Sequence, residues 1–493
     1  MLCICMKWAR VENPMISFIG RKEELASLNR MSKMHGPGLA VIKGRRRIGK
    51  SRLIEEFAKD KIFFSFSGLP PTTNVTAQNQ RDVFAREFAQ IFKLPPLSFS
   101  DWSDAFNHLT NYITEKPTVI LFDEISWMGS KDPTFVGKLK IWWDLYLQHK
   151  PSLTLIFCGS VSTWIEKNII NSTAFFGRIS LKITLTPFSL PECGQFLKSI
   201  GFKGSPFEIY EILSITGGIP WYLEKIIPSE TVDTNLKNLC FKKDSIFVQE
   251  FDRIFHDLFD GHGKTHKEIV QELGAGNKTL ADLRNALNYP RSGTFSEIVG
   301  DLITSGFVTK HYQWSIKTGA ISKQSIYRLS DCYLRFYLKY IEPNRQRIEQ
   351  GSFQDVALRQ LPGWEAIMGL QVESLLLENR PLLLKSIGIN PADIANDNPY
   401  LRQQTTRHRG CQIDYLIQTK THTLYMCEFK FKRRDIGPEI IDLMKDKVSR
   451  FSPPSGFGVA PVFFHLSDVS EFVYDKNYFY KTINIADLLE SLL

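Results

Sequence analysis

Several features common in other protein classes are missing here. No run approaches the roughly 18 apolar residues of a membrane-spanning helix, so no membrane segment is expected. The opening stretch, MLCICMKWAR, has a very short apolar run with no basic segment before it, which is not the build of a secretion signal. The eight cysteines, at 3, 5, 158, 193, 240, 332, 411 and 427, form no Cys-x-x-Cys pair. Most lie in apolar surroundings, which argues for reduced structural thiols and a cytoplasmic setting. Low-complexity tracts and short repeats are absent. Charge of one sign is not in large excess either, at +9 over 493 residues. Its distribution says more, because residues 401–450 hold eleven Lys or Arg against six Asp or Glu. A local basic surface of that kind suits a polyanion such as DNA, or is simply a solvated face.

The composition that remains, 43% hydrophobic and 23% charged, is that of a folded chain. Its length predicts two to four domains. From residue 39 to 185 short apolar strands alternate with amphipathic helices: Leu39–Lys43, Ile62–Phe66, Thr118–Phe122, Leu153–Cys158 and Ile179–Leu185 are the strands. Such alternation predicts a parallel sheet covered on both faces. Residues 188–240 read as helices broken by Thr216-Gly-Gly-Ile-Pro220. Residues 245–340 read as short helices followed by a small hairpin, the pattern of a winged helix. Beyond Glu342-Pro343-Asn344, a helix is expected at Leu361–Glu378 and a β-hairpin at Ile413–Phe431.

Two chemistries stand out. The first is Gly44-Arg45-Arg46-Arg47-Ile48-Gly49-Lys50-Ser51, set between a strand and a helix. Backbone N–H groups converging at a helix N-terminus bind phosphate. The glycines permit the tight loop, Lys50 suits the β- and γ-phosphates, and Ser51 suits Mg2+. Arg45, Arg46 and Arg47 are expected at a solvated loop tip, or against a partner. The second half of that site is Asp123-Glu124 at the end of an apolar strand. Asp123 suits Mg2+, largely through water, or caps the turn; Glu124 suits the water-activating base. Ser160, at the end of a third strand, is either a γ-phosphate sensor or a turn residue. Arg178 is an arginine finger, in cis or from a neighbouring subunit, or a surface residue. No Asn-Lys-x-Asp element is present, which counts against GTP.

Together with Ile19-Gly-Arg-Lys-Glu23, Cys158-Gly-Ser160, Gly177-Arg178 and Gly217-Gly-Ile-Pro220, these motifs resemble the archaeal-type ATPase family, in the AAA+/STAND branch of P-loop ATPases. The resemblance covers about residues 16–340. It implies an α/β ATPase core at 16–187, a helical lid at 188–244 whose Ile219-Pro220 region contacts nucleotide, and a winged helix at 245–342. It also implies ATP and Mg2+ as ligands; a homo-oligomer follows if Arg178 acts from a neighbouring subunit.

The second chemistry lies in 345–493. Asp414, Glu428 and Lys430 sit on the two arms of the predicted hairpin, and Glu373 lies on the helix before it. Two carboxylates hold a hard divalent cation, and a lysine stabilises an attacking water or a phosphate charge. For Asp414 and Glu428 to share one face without a bulge, paired positions must sum to 842, leaving the loop Lys420-Thr421-His422. These residues resemble the PD-(D/E)xK nuclease superfamily, a restriction-endonuclease-like α/β fold, with Lys432-Arg433-Arg434 near the site to hold phosphate. Two functions follow: an ATP-regulated nuclease acting on nucleic acid, or an ATP-dependent switch or scaffold whose last domain only binds. The winged helix, with Lys264, Lys267, Lys278 and Arg284, suits DNA or a protein partner.

Overall fold

The computed structural model describes every residue except 1–17, 71–73, 161–162, 259–262, 292, 405, 407–408 and 491–493. Cys3, Cys5 and the rest of the opening stretch therefore lie outside the described residues.

A five-stranded parallel sheet forms the first layer system, from β1 (Gly38–Gly44), β2 (Ile62–Ser67), β3 (Thr118–Asp123), β4 (Leu153–Gly159) and β5 (Leu181–Leu185). Its order is β2-β3-β4-β1-β5, with every neighbouring pair parallel. The central strands are apolar throughout because both faces are covered. In β1, Ala40 and Ile42 point into one core while Leu39 and Val41 point into the other. The second core is aromatic: Phe66, Phe84, Phe106, Phe122 and Trp142 are buried against one another. Each such ring contributes ~2 kcal/mol by leaving water. Helices α1 (Lys22–Met31), α2 (Lys50–Ala58), α3 (Ala77–Phe92), α4 (Trp102–Thr110), α5 (Ile125–Gly129) and α6 (Phe135–Leu145) belong to this layer system.

Helices α7 (Leu190–Ser199) and α8 (Pro206–Thr216) follow, each opened by a Ser…Glu capping box with proline in its first turn. Gly217, at φ 60°, ends α8. Then come α9 (Pro220–Leu223), α10 (Val232–Cys240) and α11 (Ile246–Leu258). Next are α12 (Lys264–Gly274), β6 (Lys278–Thr279), α13 (Leu280–Ala286), α14 (Gly293–Thr304), β7 (Val308–Trp314) and β8 (Ile321–Leu329). These three strands form a small sheet in the order β6-β8-β7. A short helix, α15 (Cys332–Phe336), leads out of it.

The last part contains α16 (Trp364–Glu378), α17 (Arg380–Ile387), β9 (Ile394–Arg402), β10 (Cys411–Thr419), β11 (Thr423–Lys430), α18 (Glu439–Phe451), β12 (Gly458–His465) and β13 (Lys481–Asn484). Its sheet runs β13-β12-β11-β10-β9; β9, β10 and β11 are antiparallel, while β11, β12 and β13 are parallel. One continuous apolar core runs from the first sheet through α8 and α16 to Tyr415, Cys427 and Leu489. The Tyr210 hydroxyl donates to the Ile485 carbonyl at 2.9 Å, tying the end of the chain to α8. No helix among the described residues is long and apolar enough to cross a membrane.

Candidate functional sites

β1 leads into the loop 44–49, and α2 starts at Lys50. Gly49 has φ 91°, a conformation that L side chains rarely adopt, and a Cβ on Gly44 would meet the Leu185 carbonyl at 2.9 Å. Lys50 is buried and donates to the Gly44 carbonyl at 2.9 Å and to that of Arg45 at 3.3 Å. Its ammonium therefore lies inside the loop. The strand order places the ends of β3, β4 and β1 side by side. Ser51 Oγ accordingly faces Asp123 Oδ2 at 3.5 Å. Glu124, at φ 49°, turns the chain from β3 into α5. Its carboxylate accepts from Ser160 N at 3.2 Å and Ser160 Oγ at 3.4 Å. Burial pushes the Glu124 carboxyl above the usual carboxylate range, with Lys50 pulling it back. The Ser51 and Asp123 oxygens are hard donors of the kind Mg2+ takes.

The three loop arginines depart from expectation. Only Arg46 is exposed. Arg45 is buried, ion-paired with Asp331 and 4.9 Å from the Phe307 ring centroid. Arg47 pairs with Glu250 at 2.6 Å and lies over Trp221 at 3.6 Å. Glu250 also accepts from the Tyr222 hydroxyl at 2.9 Å. Buried acids draw these cations inward, because a carboxylate that enters the interior must find a partner. The Gly217–Pro220 segment is thereby held against the loop through Trp221. Arg21 adds a second tie, donating to the Ile48 carbonyl at 3.2 Å and to that of Thr186 at 2.6 Å.

Arg178 is not brought to this site within the chain. It donates to both oxygens of Asp144 on α6, at 2.7 and 2.9 Å. β5 begins at Leu181, paired in parallel with Ala40, so Arg178 lies toward the sheet end where β1 starts. The phosphate loop is at the other end, about 13 Å along the strand at 3.3 Å per residue. An arginine finger in cis is therefore excluded by strand direction.

The C-terminal carboxylates meet as the register rule requires. Tyr415 pairs with Cys427, Leu416 with Met426, Ile417 with Tyr425 and Gln418 with Leu424. Continuing that register puts 414 opposite 428, with Lys420-Thr421-His422 as the loop; His422 takes φ 63°. A register shift between Ile413 and Leu416 on the β9 side lies next to Asp414. Asp414 Oδ2 accepts from Phe429 N at 2.9 Å, and Lys430 Nζ donates to Glu428 Oε1 at 2.6 Å. Glu428 is 1% exposed. Burial and the neighbouring Glu428 push the Asp414 carboxyl up to about 7. Both acids open on a cavity of about 580 Å³ between α16 and α18, which Glu373, Lys430, Lys432, Lys447 and Arg450 also line.

Lys447 was missed by sequence reasoning. It pairs with Glu428 Oε2 and lies 3.9 Å from Asp414 Oδ1. A signal existed: Ile440, Met444 and Phe451 form the buried stripe of α18, and 447 falls on that stripe. A lysine there must meet acid. Two sequence expectations need correction. Glu373 reaches the cavity but is ion-paired with Arg328, and among the described residues no group of three His, Cys, Asp or Glu converges as a metal set. Arg433 turns away from the cavity to Glu211 on α8, at 3.2 Å, and over Phe207 at 4.4 Å; Lys432 remains at the cavity.

A phosphate loop at the end of β1, with an acid pair at the end of β3 in a parallel sheet, defines the nucleotide-binding domain of a P-loop ATPase. Residues 18–226 match the family described as an ATPase domain predominantly from Archaea. The chain is similar to the uncharacterized protein MJECL04 of Methanocaldococcus jannaschii, 26% identical over 338 residues, which are 68% of this chain and 71% of that protein. It is also similar to the uncharacterized ATP-binding protein MJ0423 of the same organism, 41% identical over 46 residues, covering 9% of this chain and 78% of that protein. Among solved structures it resembles the Walker-type ATPase paby2304 of Pyrococcus abyssi, with TM-score 0.45 and 16% identity over 65% of this chain and 96% of the other.

Proposed function

We propose that this chain binds and hydrolyses Mg-ATP at residues 44–51, 123–124 and 160, and that its C-terminal domain is a metal-dependent nuclease acting on nucleic acid. At the first site Lys50 holds the phosphates, Ser51 and Asp123 hold Mg2+, and Glu124 takes the proton of the attacking water. Ser160, bonded to Glu124, fixes that carboxylate and reports the γ-phosphate. Bound Mg2+ supplies charge neutralisation on the phosphates.

At the second site Asp414 and Glu428 hold a divalent cation, Lys430 and Lys447 stabilise phosphate charge, and Lys432 and Arg450 receive the backbone. Water adds to phosphorus and gives a proton to solvent, the P–O bond to the leaving nucleotide breaks, and the departing oxygen takes a proton from solvent to leave as the alcohol. The observation that carries this reading is the facing pair Asp414 and Glu428 on the cavity floor, each within reach of Lys447. The test is Mg2+-dependent cleavage of labelled DNA and RNA by the purified chain, set beside Glu428→Gln. Cleavage lost in the variant supports the reading; no cleavage by the unaltered chain rejects it.

A second reading is an ATP-driven switch whose C-terminal domain only binds. The Glu373–Arg328 pair favours it, since the third carboxylate is already engaged. The segment 245–342 fits a winged helix that contacts protein rather than the DNA major groove. Its helix α14 carries Glu297 and Asp301 and no Lys or Arg, while Lys267 and Lys278 are paired with Asp252 and Glu272. Arg178 serves in trans or not at all, so an oligomer is required if it acts on ATP.

A further inference from the structure

Buried polar contacts run from the first candidate site toward the second, passing through the backbone of α15, where Arg335 N donates to the Asp331 carbonyl at 3.1 Å. They start inside the phosphate loop, where Arg45 Nη1 pairs with Asp331. Arg45 Nη2 is also buried and has no hydrogen-bond acceptor among the described residues. Asp331 caps α15, accepting from Leu334 N at 2.6 Å. One turn on, Arg335 donates to Gln371 and to the Leu329 carbonyl, and to Ser374 Oγ at 3.2 Å. Gln371 returns a bond to the Cys332 carbonyl at 2.8 Å. Arg328 donates to Ser374 Oγ at 3.0 Å and to the Leu370 carbonyl at 3.2 Å, and pairs with Glu373.

Gln371, Glu373 and Ser374 all lie on α16. Gln371 and Ser374 face the buried arginines, while Glu365, Gly369, Leu370 and Glu373 face the cavity that holds Asp414 and Glu428. Asp331, Arg328, Arg335, Gln371 and Ser374 are each at most 6% exposed. Water cannot compensate any of these charges if its partner leaves.

We infer that Arg45, Asp331 and Arg335 are positioning residues for the C-terminal cavity, through which nucleotide at the phosphate loop governs the placement of α16. This rests on reading residues 44–51 as the nucleotide site. The phosphates present acceptors beside the unsatisfied Nη2 of Arg45 and draw the guanidinium from Asp331. The buried Asp331 carboxylate, left without that cation, attracts Arg335 from one turn away. Arg335 then gives up Gln371 and Ser374, and α16 loses the contacts that hold its cavity face in place. Coupling of this kind is reciprocal: a ligand that fixes α16 changes nucleotide affinity by the same factor.

The test is amide hydrogen exchange over 364–378 in the full chain, with and without ATPγS, whose binding is measured separately. Nucleotide should speed exchange on the order of tenfold, within the range of linked sites. Asp331→Asn removes the charge but keeps a good helix cap. It should exchange fast without nucleotide and respond no further; Arg45→Gln is the second variant should that one fail to fold. A purely structural role for these residues would slow or speed exchange without altering the response to nucleotide. Bound nucleotide with unchanged exchange at 364–378, or an equal response in both variants, overturns the inference. A chain that binds no nucleotide overturns the ATP-site reading and the inference with it. Loss of nuclease activity alone bears on neither, because the readout is exchange.

Discussion

The phosphate loop and the C-terminal cavity use the same kinds of part, a pair of acids beside lysine, yet they are built in opposite ways. At the first site Gly44 to Ser51 are consecutive, and only Asp123-Glu124 and Ser160 come from elsewhere, from the ends of β3 and β4. At the second site Asp414, Glu428, Lys430 and Lys447 come from two strands and a helix, and a single slip of register would separate them. A contiguous loop carries its geometry in backbone hydrogen bonds. A scattered site carries it in sheet pairing and core packing, so it is the more fragile of the two.

Breaking the first site should give the largest effect. Lys50→Ala removes a buried ammonium from the phosphates and should weaken ATP binding by about 3 kcal/mol or more, over a hundredfold in Kd, by titration calorimetry. Glu124→Gln should leave that affinity near the starting value and slow hydrolysis on the order of 10²- to 10⁴-fold, the span of general-base catalysis. Hydrolysis at the original rate would remove Glu124 from its role.

At the second site Glu428→Gln takes away the acid that both lysines contact. Mg2+-dependent cleavage should fall on the order of 10²-fold or more, while ATP hydrolysis stays unchanged. Equal loss at both sites would erase the contrast drawn above.

pH separates the sites more gently. In the fold Asp414 keeps its proton up to about 7, whereas an unfolded aspartate releases it near ~4. The folded state binds that proton more tightly, so this contribution to stability is complete below pH ~4 and lost as pH rises through about 7. Thermal melts in metal-free buffer should show it, and Asp414→Asn should flatten the change. Divalent-cation affinity should rise over the same window, since only the ionised carboxylate binds metal. The smallest effect belongs to Arg433→Ala. It removes a half-exposed partner of Glu211 and a contact with Phe207, and should cost about 1 kcal/mol of stability by denaturant titration without touching either activity.

Much of the layout was legible because its signals are local. The alternation of strands and helices from 39 to 185 predicted a parallel sheet, and the strands fall within a residue or two of expectation. Side-chain alternation tied a shared face for Asp414 and Glu428 to a pairing sum of 842, and the hairpin has that register. Other placements were not legible, because they depend on what packs across. Arg45 and Arg47 read as loop-tip residues until α11 and Asp331 supply buried acids to receive them. Arg433 reads as part of a basic run until α8 offers Glu211.

The amino-acid order alone determined the phosphate loop and the acid pair after β3, because each depends on chain geometry within a loop or at a strand end. The facing of Asp414 and Glu428 was open to a one-residue slip until the hairpin register decided it. Tertiary structure alone decided that Arg178 lies at the far end of the sheet, that Lys447 completes the second site, and that a buried series of arginines links the two. For the buried groups the reason is desolvation. A charge taken from water settles beside whichever opposite charge the fold delivers, and for Arg45 that partner is 286 residues away.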